Sequence, residues 1–355
     1  MRQRQVRTKG RPASPEARPP GNLRRADVPL PGATKGLEIR TRQTIPPNRK
    51  GEPAKQDDPV KAPFAGSPIR GAFTVDVEEY FQVGAFERVV RRDAWECYPS
   101  RLATGLSVVT DLMDEAGVRA TFFVLGWVAE RHAPLIRRLA ESGHEIACHG
   151  WDHRRVFRMN AEEFRADLRR ARRAIEDATG ERVQGYRAPS FSFDRRTPWA
   201  HAVLEEEGFA YSSSIFPGRT DHYGMPGAPR WPYRPLADGR LREFPITTLE
   251  VFGHRLPWAG GGYFRLAPYR LYRAGYRRLV AARRPFLFYC HPWEFDPDQP
   301  GIEGADLKSR LRHRLNLSRM AARVRRLIGD FPWGRMDEWL ESCAIRNKGR
   351  EDDGW

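Results

Sequence analysis

The sequence lacks the features of a membrane-spanning or a disulfide-stabilised secreted protein. No apolar run approaches the roughly 18 residues that a transmembrane helix needs. The four cysteines, Cys97, Cys148, Cys290 and Cys343, are far apart and form no C-x-x-C pair. Neither a disulfide framework nor a structural zinc knuckle is therefore indicated. The basic N-terminal residues are not followed by an apolar segment, so the sequence shows no secretory signal. We expect a cytoplasmic protein that is at most peripheral to the inner membrane.

The chain is strongly basic, and the distribution of its charge bears on its partners. It has 355 residues and a net charge of +16, a balance that often indicates nucleic-acid binding. Residues 1–65, however, contain 15 Lys and Arg against 6 Asp and Glu, so more than half of the net positive charge lies there. The remaining positive charge is distributed over the other 290 residues. We therefore expect no specific nucleic-acid partner. Residues 1–68 are rich in Arg, Pro and Gly with little apolar periodicity, which predicts a disordered tail capable of weak contact with a membrane surface.

From Gly71 onward, apolar runs that end in polar residues alternate with segments of helical periodicity. Strands are predicted at residues 72–81, 120–125, 144–148, 185–192, 210–215, 241–249 and 285–290, with a loop at 253–266. Helices are predicted at residues 102–116, 133–142, 160–179, 197–208, 266–282 and 311–328. This alternation predicts an α/β fold with a parallel sheet, and six or seven such units favour a barrel over an open sheet.

Two histidines four residues apart, His149 and His153, follow the predicted strand at 144–148. One helical turn would place both imidazoles on the same face, where they can bind one divalent metal. Surface helices also carry such pairs by chance, so the spacing alone does not decide between the two interpretations. The position after a strand favours the metal site, because α/β folds place their chemistry at strand ends.

Further reactive groups stand at other predicted strand ends: Asp76, Glu78, Arg187 and His291. One carboxylate and two imidazoles would leave coordination positions open, as a catalytic zinc site requires. A second carboxylate can take a proton from water, and His291 can protonate a leaving amine. Arg187 can orient the base carboxylate. Each residue alone has an ordinary structural explanation, but their joint occurrence at strand ends favours an active site.

Four segments together resemble a known motif series: Thr74-Val75-Asp76-Val77-Glu78, His149-Gly150-Trp151-Asp152-His153, Arg187-Ala188-Pro189-Ser190-Phe191 and Phe288-Tyr289-Cys290-His291-Pro292. The series is that of the polysaccharide deacetylases, the NodB-homology domains of carbohydrate esterase family four. Further motifs resemble a subgroup encoded beside exosortase-type exopolysaccharide loci. These are Asp-Val-Glu-Glu-Tyr-Phe-Gln-Val, Gly-Gly-Tyr-Phe-Arg-Leu and His-Pro-Trp-Glu-Phe-Asp-Pro. The resemblance implies a catalytic domain at 69–295 and a C-terminal helical extension at 296–345 packed on the barrel.

This family resemblance also implies a fold, a cofactor and an activity. The fold is a distorted (β/α) barrel, the cofactor a divalent metal for which we expect zinc, and the reaction hydrolysis of an N-acetyl group on an amino sugar. The substrate is then an N-acetylated glycan, in exopolysaccharide biosynthesis. By the same resemblance, His149 and His153 ligate the metal, Asp76 is the general base, Arg187 orients that base and His291 is the general acid.

The sequence departs from the family pattern at two places. The usual first motif has two adjacent aspartates, the second of which binds metal, but here Val77 occupies that position. We expect Glu78 to be the third ligand, with Glu79 as the alternative. The subgroup commonly has Asp where this chain has Ser212, so the acid's partner is predicted to be absent or replaced.

Candidate substrate contacts are Pro189, Ser190, Phe191, Tyr263 and Trp293. The backbone N–H of Ser190 or Phe191 is a candidate donor to the oxyanion, and the glycines at 260–262 a candidate flexible groove wall. Further rings that can stack on sugars, although each also suits a core, are Trp151, Tyr186, Trp258 and Phe264. Two alternative functions stay open: hydrolysis of a non-sugar amide or cyclic ureide, and non-catalytic binding of glycan or nucleic acid.

Overall fold

The structure is a computed structural model that describes residues 71–219 and 224–342. Of Glu341 and Ser342 it describes the backbone alone. These residues belong to one compact unit. The predicted disordered tail at 1–68 and Cys343 lie outside the described residues.

The strands of the described residues are β1 (Gly71–Val77), β2 (Thr121–Val124), β3 (Glu145–Cys148), β4 (Gly185–Tyr186), β5 (Tyr211–Ser212), β6 (Arg242–Glu243), β7 (Thr248–Val251), β8 (His254–Pro257), β9 (Leu287–Cys290) and β10 (Trp333–Gly334). The helices are α1 (Leu102–Ala116), α2 (Gly126–Arg131), α3 (Ala133–Glu141), α4 (Ala161–Thr179), α5 (Ala200–Glu206), α6 (Gly261–Leu266), α7 (Tyr269–Ala281), α8 (Leu307–Arg314), α9 (Met320–Asp330) and α10 (Met336–Ser342). Within the described ranges, no helix combines the length and apolar character needed to cross a bilayer.

The main sheet is parallel, with the strand order β9-β1-β2-β3-β4-β5-β6. In addition, β10 pairs with the first residues of β1. The strands β7 and β8 form a separate antiparallel hairpin. Helices alternate with most of the parallel strands along the chain, which confirms the predicted α/β class.

The sheet curves into an open, distorted barrel. Arg187, directly after β4, donates from Nη1 to Thr74 Oγ1 (2.8 Å) and Asp76 Oδ1 (2.6 Å) on β1. Because β2 and β3 lie between these strands in the sheet, only strong curvature can bring the three side chains together. Among the described residues, the edge strands β6 and β9 do not pair, so the sheet forms a half-barrel. The predicted distorted barrel is confirmed in this open form.

Successive side chains of β1 point to opposite faces of the sheet, and this decides which of them face the candidate active site. Phe73, Val75 and Val77 pack against the surrounding helices in the main core. Ala72 points the other way, into a smaller core cluster inside the barrel. Asp76 lies on the same side as Ala72, and its carboxylate is therefore directed into the barrel interior.

The predicted ends of α1 and α4 are confirmed by their caps. Asn160 Oδ1 accepts from the Glu163 N–H (2.9 Å), and the Asn160 N–H donates to Glu163 Oε2 (2.9 Å), which is a capping box. Gly180 and Gly117 follow the two helices with left-handed φ values of 75° and 61°.

The prediction of one helix at 311–328 is wrong. The chain forms α8 and α9 with a break at Asn316, whose φ is 55°. Asn316 Nδ2 donates to the backbone carbonyl of Arg265 (2.9 Å). This long-range hydrogen bond fixes the interruption, and helical periodicity does not reveal it.

The prediction of a loop at 253–266 with a flexible glycine wall is also wrong. The segment contains β8 and α6, and the following helix starts only at Tyr269. At Gly260, whose φ is 141°, a Cβ would lie 1.9 Å from the Tyr289 carbonyl oxygen. Glycine is therefore required by a close approach to β9, where Gly260 forms a bridge to Tyr289. The predicted strand at 241–249 is likewise divided into β6 and β7.

Candidate metal centre and active site

Three predicted ligands come together at the carboxyl ends of β1 and β3. Glu78 follows β1 directly, His149 follows β3, and His153 lies four residues further on. One ligand atom from each of them lies within 4.8 Å of the other two. All three side chains are buried. The three residues, called the ligand cluster below, have the separation and donor types of a two-histidine, one-carboxylate metal site.

The two histidines are carried by a bent loop, so the expected helical turn is wrong. Gly150 has a φ of 78° and His153 a φ of 56°, both in the left-handed region. The Trp151 N–H donates to Asp167 Oδ2 on α4 (3.0 Å), and the Gly126 N–H donates to the Gly150 carbonyl (2.9 Å). These tertiary hydrogen bonds fix the loop and turn both imidazoles toward Glu78.

The protonation states of the cluster suit a cation. His149 Nδ1 lies 2.9 Å from the Arg187 carbonyl oxygen, so Nδ1 donates and Nε2 is left with a lone pair. Burial lowers the pKa of His149 to about 4, which keeps the ring neutral. Burial alone would raise the pKa of Glu78, but the imidazoles of His153, His291 and His149 outweigh it and lower that pKa to about 2.

Glu78 Oε2 gives an independent test of the fit. This buried oxygen makes no hydrogen bond within the described residues, although His153 Nε2 is only 2.9 Å away. The two atoms are close but are not aligned as donor and acceptor. An unsatisfied buried carboxylate oxygen is costly, and a cation shared with the imidazoles would satisfy it. The residues therefore fit a divalent metal.

Glu79, the alternative ligand, is engaged elsewhere. Its carboxylate accepts hydrogen bonds from the Ser100 hydroxyl and from the Arg101 N–H at 3.0 Å. Burial raises the pKa of Glu79. It is not part of the ligand cluster, so the geometry favours Glu78 as the third ligand.

Asp76 and Arg187 form a buried ion pair beside the ligand cluster. The Arg187 side chain is fully buried, and its Nη1 lies 2.6 Å from Asp76 Oδ1. Its Nη2 donates to Ser213 Oγ (3.1 Å) and its Nε to the Ser213 carbonyl (3.3 Å). The guanidinium also covers the Phe123 ring at 4.0 Å. Arg187 thus fixes one carboxylate oxygen and leaves Oδ2 of Asp76 directed toward His291. The supporting contact with Ser213 was not anticipated.

His291, at the end of β9, completes the constellation. Its Nε2 lies 3.6 Å from Glu78 Oε1 and 4.0 Å from Asp76 Oδ2. Its Nδ1 lies 3.2 Å from Glu294 Oε2, and Glu294 Oε1 accepts from Arg265 Nε at 2.7 Å. Burial would lower the pKa of His291, but Glu294, Glu78 and Asp76 raise it to about 9. The carboxylates around His291 thus favour the protonated form of its ring.

Glu294 is the functional residue that sequence reasoning missed. It is fully buried, and it also accepts from the His291 backbone N–H (3.0 Å). The predicted partner position, Ser212, donates instead to Ser214 Oγ (2.8 Å). The carboxylate beside His291 is therefore Glu294, and the signal was present in the sequence as a carboxylate three residues after the histidine.

The candidate substrate residues divide into two groups. Phe191 and Tyr263 border an apolar pocket together with Phe216, Ile246, Pro257, Ala259, Gly260 and Tyr289. Ser190 is half-buried with a φ of 55°, beside a buried Pro189. The Phe191 N–H donates to the Ala188 carbonyl (2.9 Å), so the expectation that it is free for an oxyanion is wrong.

Trp293 is 6% exposed and stacks on His291 and His313, with ring centroids 5.1 and 4.1 Å apart. Its Nε1 donates to Glu78 Oε1 (3.2 Å). It therefore positions the site, and the expectation that it stacks on a sugar is wrong. Four other rings, each of which could suit either a core or a sugar, are part of the main core as the first alternative expects: Trp151, Tyr186, Trp258 and Phe264.

The fold and the site together define an open α/β barrel with a candidate two-histidine, one-carboxylate metal centre beside a buried Asp76–Arg187 ion pair and His291. Residues 99–211 match the family model described as polysaccharide deacetylase. Residues 213–341 match a model described as a domain of unknown function (DUF3473). The chain therefore resembles the polysaccharide deacetylases over the first of these two segments.

Curated relatives resemble parts of the chain. A peptidoglycan-N-acetylglucosamine deacetylase, PgdA, of Listeria monocytogenes is 33% identical over 72 residues, which cover 20% of this chain and 16% of that protein. A peptidoglycan deacetylase of Helicobacter pylori is 28% identical over 111 residues, covering 31% and 37% respectively. The matches thus span well under half of these relatives' own length.

Solved structures resemble a larger share of the chain at lower identity. A family 4 carbohydrate esterase from Streptomyces lividans, in complex with acetate, is 13% identical with a TM-score of 0.39, covering 73% of this chain and 90% of that one. The Puue allantoinase is 14% identical with a TM-score of 0.49, covering 79% and 92%. At these scores neither likeness distinguishes one activity from the other.

Proposed function

We propose that this protein is a metal-dependent hydrolase that removes an N-acetyl group from an amino sugar of a polysaccharide or glycan intermediate. The observation that carries the proposal is the ligand cluster beside the buried pair of Asp76 and Arg187. Asp76, whose carboxylate is fixed by Arg187, can act as the base. His291, which is paired with Glu294, can act as the acid, and amide hydrolysis uses both groups.

Glu78, His149 and His153 would hold the metal, and two imidazoles with one carboxylate suit zinc. When bound, such an ion polarises the amide carbonyl and makes water more acidic. Asp76 accepts a proton from the attacking water at Oδ2, while Arg187 stabilises its charge.

His291 donates a proton from Nε2 to the departing amine. Glu294 Oε2 accepts a hydrogen bond from His291 Nδ1. This hydrogen bond fixes the orientation of the ring and leaves Nε2 as the proton donor. The backbone N–H of Ser190 is the proposed donor to the oxyanion. The apolar pocket bordered by Phe191 and Tyr263 would receive an apolar face of the substrate.

We further propose that the substrate belongs to exopolysaccharide biosynthesis and that the protein acts in the cytoplasm. The subgroup motifs around Glu78, Tyr263 and Trp293 support the first statement. The domain division at 69–295 and 296–345 is likewise a proposal, in which the second part stabilises the first by packing against the sheet.

Acetate release from a panel of N-acetylated oligosaccharides, measured with and without a chelator, tests the proposed function. We expect acetate from at least one amino sugar, its loss with chelator, and its return when zinc is added. The panel includes a simple non-sugar acetamide and a cyclic ureide. Turnover of either of these with no acetate from any sugar would contradict the proposal, and so would chelator-resistant turnover.

A further inference from the structure

The helix α8 carries a largely exposed leucine face. Leu307 and Leu311 are 69% and 63% exposed, and Leu315, at its end, is 39% exposed. At about 100° per residue, the first two leucines lie opposite the face formed by Ser309 and His313. His313 is the buried residue of this helix. The leucines therefore point away from the protein.

A second group of exposed apolar atoms lies beside the C-terminal end of this helix. Leu266, at the end of α6, is 65% exposed. Its neighbour Arg265 donates to the Leu315 carbonyl (2.7 Å) and accepts at its own carbonyl from Asn316 Nδ2 (2.9 Å). Leu266 therefore adds exposed apolar surface near the C-terminal end of α8, and a large exposed apolar patch marks an interaction site.

The charges on α8 after its N-cap residue, Asp306, have one sign. Residues 307–319 contain five basic residues, Lys308, Arg310, Arg312, Arg314 and Arg319, and no Asp or Glu. On the helical wheel, Arg310 and Arg314 flank the leucines on one side, and Lys308 and Arg312 flank them on the other. Among the described residues, none of these four side chains forms an ion pair, although Arg314 Nη2 donates to the Gln299 carbonyl. Leucine centred between two rows of cations is the pattern of a helix that lies in the plane of an anionic membrane surface.

This helix is firmly attached to the rest of the fold. Arg265 donates to the carbonyls of Arg312, His313 and Leu315 at 2.7–3.3 Å. The His313 ring stacks on Trp293 at 4.1 Å, and Trp293 stacks in turn on His291. The exposed leucines thus belong to a helix that is held in place by contacts leading to the candidate active site.

We propose that α8, with Leu266, is a docking surface for an anionic lipid bilayer. The leucines would enter the boundary between headgroups and acyl chains, while the flanking Lys and Arg contact lipid phosphates. Charge complementarity decides the occupant, because an apolar face shared with a second copy would bring two sets of like charges together. This binding is independent of the proposed reaction.

Co-sedimentation of the full chain with vesicles of phosphatidylcholine and 30% phosphatidylglycerol tests the proposal. We expect binding to these vesicles, little binding to phosphatidylcholine alone, and weakening at high salt. Leu307→Ser with Leu311→Ser should weaken binding about tenfold. Lys308→Glu with Arg312→Glu should weaken it at least about 20-fold, since each basic residue near an anionic surface strengthens binding about fivefold.

Matched controls separate α8 from general stickiness and from the rest of the basic chain. Phe252→Ser removes a 96% exposed ring from the tip of the β7–β8 hairpin. Arg173→Glu with Arg277→Glu makes the same charge change on exposed parts of α4 and α7. These variants should bind vesicles within about twofold of the wild type. All four variants should melt within a few degrees of the wild type, since they alter exposed side chains.

Equal weakening by the control variants, or unchanged binding of the α8 variants, would overturn the proposal. Light scattering at several protein concentrations distinguishes the other occupant. If the wild type forms a dimer that the double serine variant loses, and neither binds vesicles, the leucine face is an interface between two copies and the membrane proposal is wrong.

Discussion

Glu294→Gln is the most informative substitution in the proposed mechanism, because it preserves shape and removes one charge. In the native site the Glu294 carboxylate bridges Arg265 Nε (2.7 Å) and His291 Nδ1 (3.2 Å). A hydrogen bond to a charged partner contributes about 1.5–3 kcal/mol. General acid catalysis contributes about 100- to 10,000-fold, and loss of the group that orients the His291 ring should forfeit part of this, a fall in kcat of about 30-fold.

The same substitution has a predicted signature in the pH profile. His291 must be protonated to donate, so turnover falls as pH rises past its pKa. The carboxylate of Glu294 helps to raise the pKa of His291 to about 9. Removing that charge lowers the pKa, and the alkaline limb of kcat should move to lower pH. Glu294→Asp, which keeps the charge, should restore part of the limb.

Glu294→Gln should also lower the free energy of unfolding, because Arg265 loses its buried carboxylate partner. Breaking a buried ion pair costs about 3–5 kcal/mol, and Arg265 retains three backbone carbonyls, so we expect about 3 kcal/mol. That is about 6–12 °C in Tm for a domain of this size. Asp330→Asn, which breaks the pair with Arg273 (2.8 Å) away from the site, should lower Tm without changing kcat. Wild-type kcat and an unmoved alkaline limb in Glu294→Gln would refute the positioning role.

Five other substitutions test the rest of the site and the loop that carries it. His149→Ala or His153→Ala should abolish the single bound zinc measured by elemental analysis, and full occupancy in both would contradict the ligand assignment. Asp76→Asn should keep the metal and lose at least about 100-fold in kcat, so an active variant would remove its role as base. Gly150→Ala should cost about 1–2 kcal/mol in urea unfolding, because φ is 78° and the new Cβ would lie 3.1 Å from Asp167 Oδ2. Burial raises the pKa of Asp167 to about 7, so stability should fall by about 2–3 kcal/mol as pH rises from 5 to 8, whereas Asp167→Asn should be nearly independent of pH over that range.

The sequence predicted the members of the site better than the way in which they are held. Asp76 and Glu78 were expected at the end of the first predicted strand, and β1 directs Asp76 into the barrel. His149 and His153 were expected to share a metal, and they do lie together with Glu78. Their loop conformation was not predictable, because hydrogen bonds to α2 and α4 fix it, and no local period encodes such contacts.

Other failures have the same physical origin. The contact between Arg187 and Asp76 joins residues 111 positions apart, and the resemblance suggested it where periodicity could not. The break at Asn316 depends on the carbonyl of Arg265, and the glycine at 260 depends on the carbonyl of Tyr289. In each case a tertiary partner overrides the local preference of the chain. Helix ends fixed by neighbouring residues, as at Asn160 and Gly180, were predicted correctly.

The site draws on three separate parts of the sequence, which constrains how the chain can be divided. Asp76 and Glu78 precede both matched segments, and His149 and His153 lie in residues 99–211, the polysaccharide deacetylase segment. His291, with its partner Glu294, lies in residues 213–341, the segment of unknown function. That segment also supplies β10, which pairs with β1. The second segment therefore contributes both the proposed acid and part of the sheet that positions the base, so neither segment can form this site without the other.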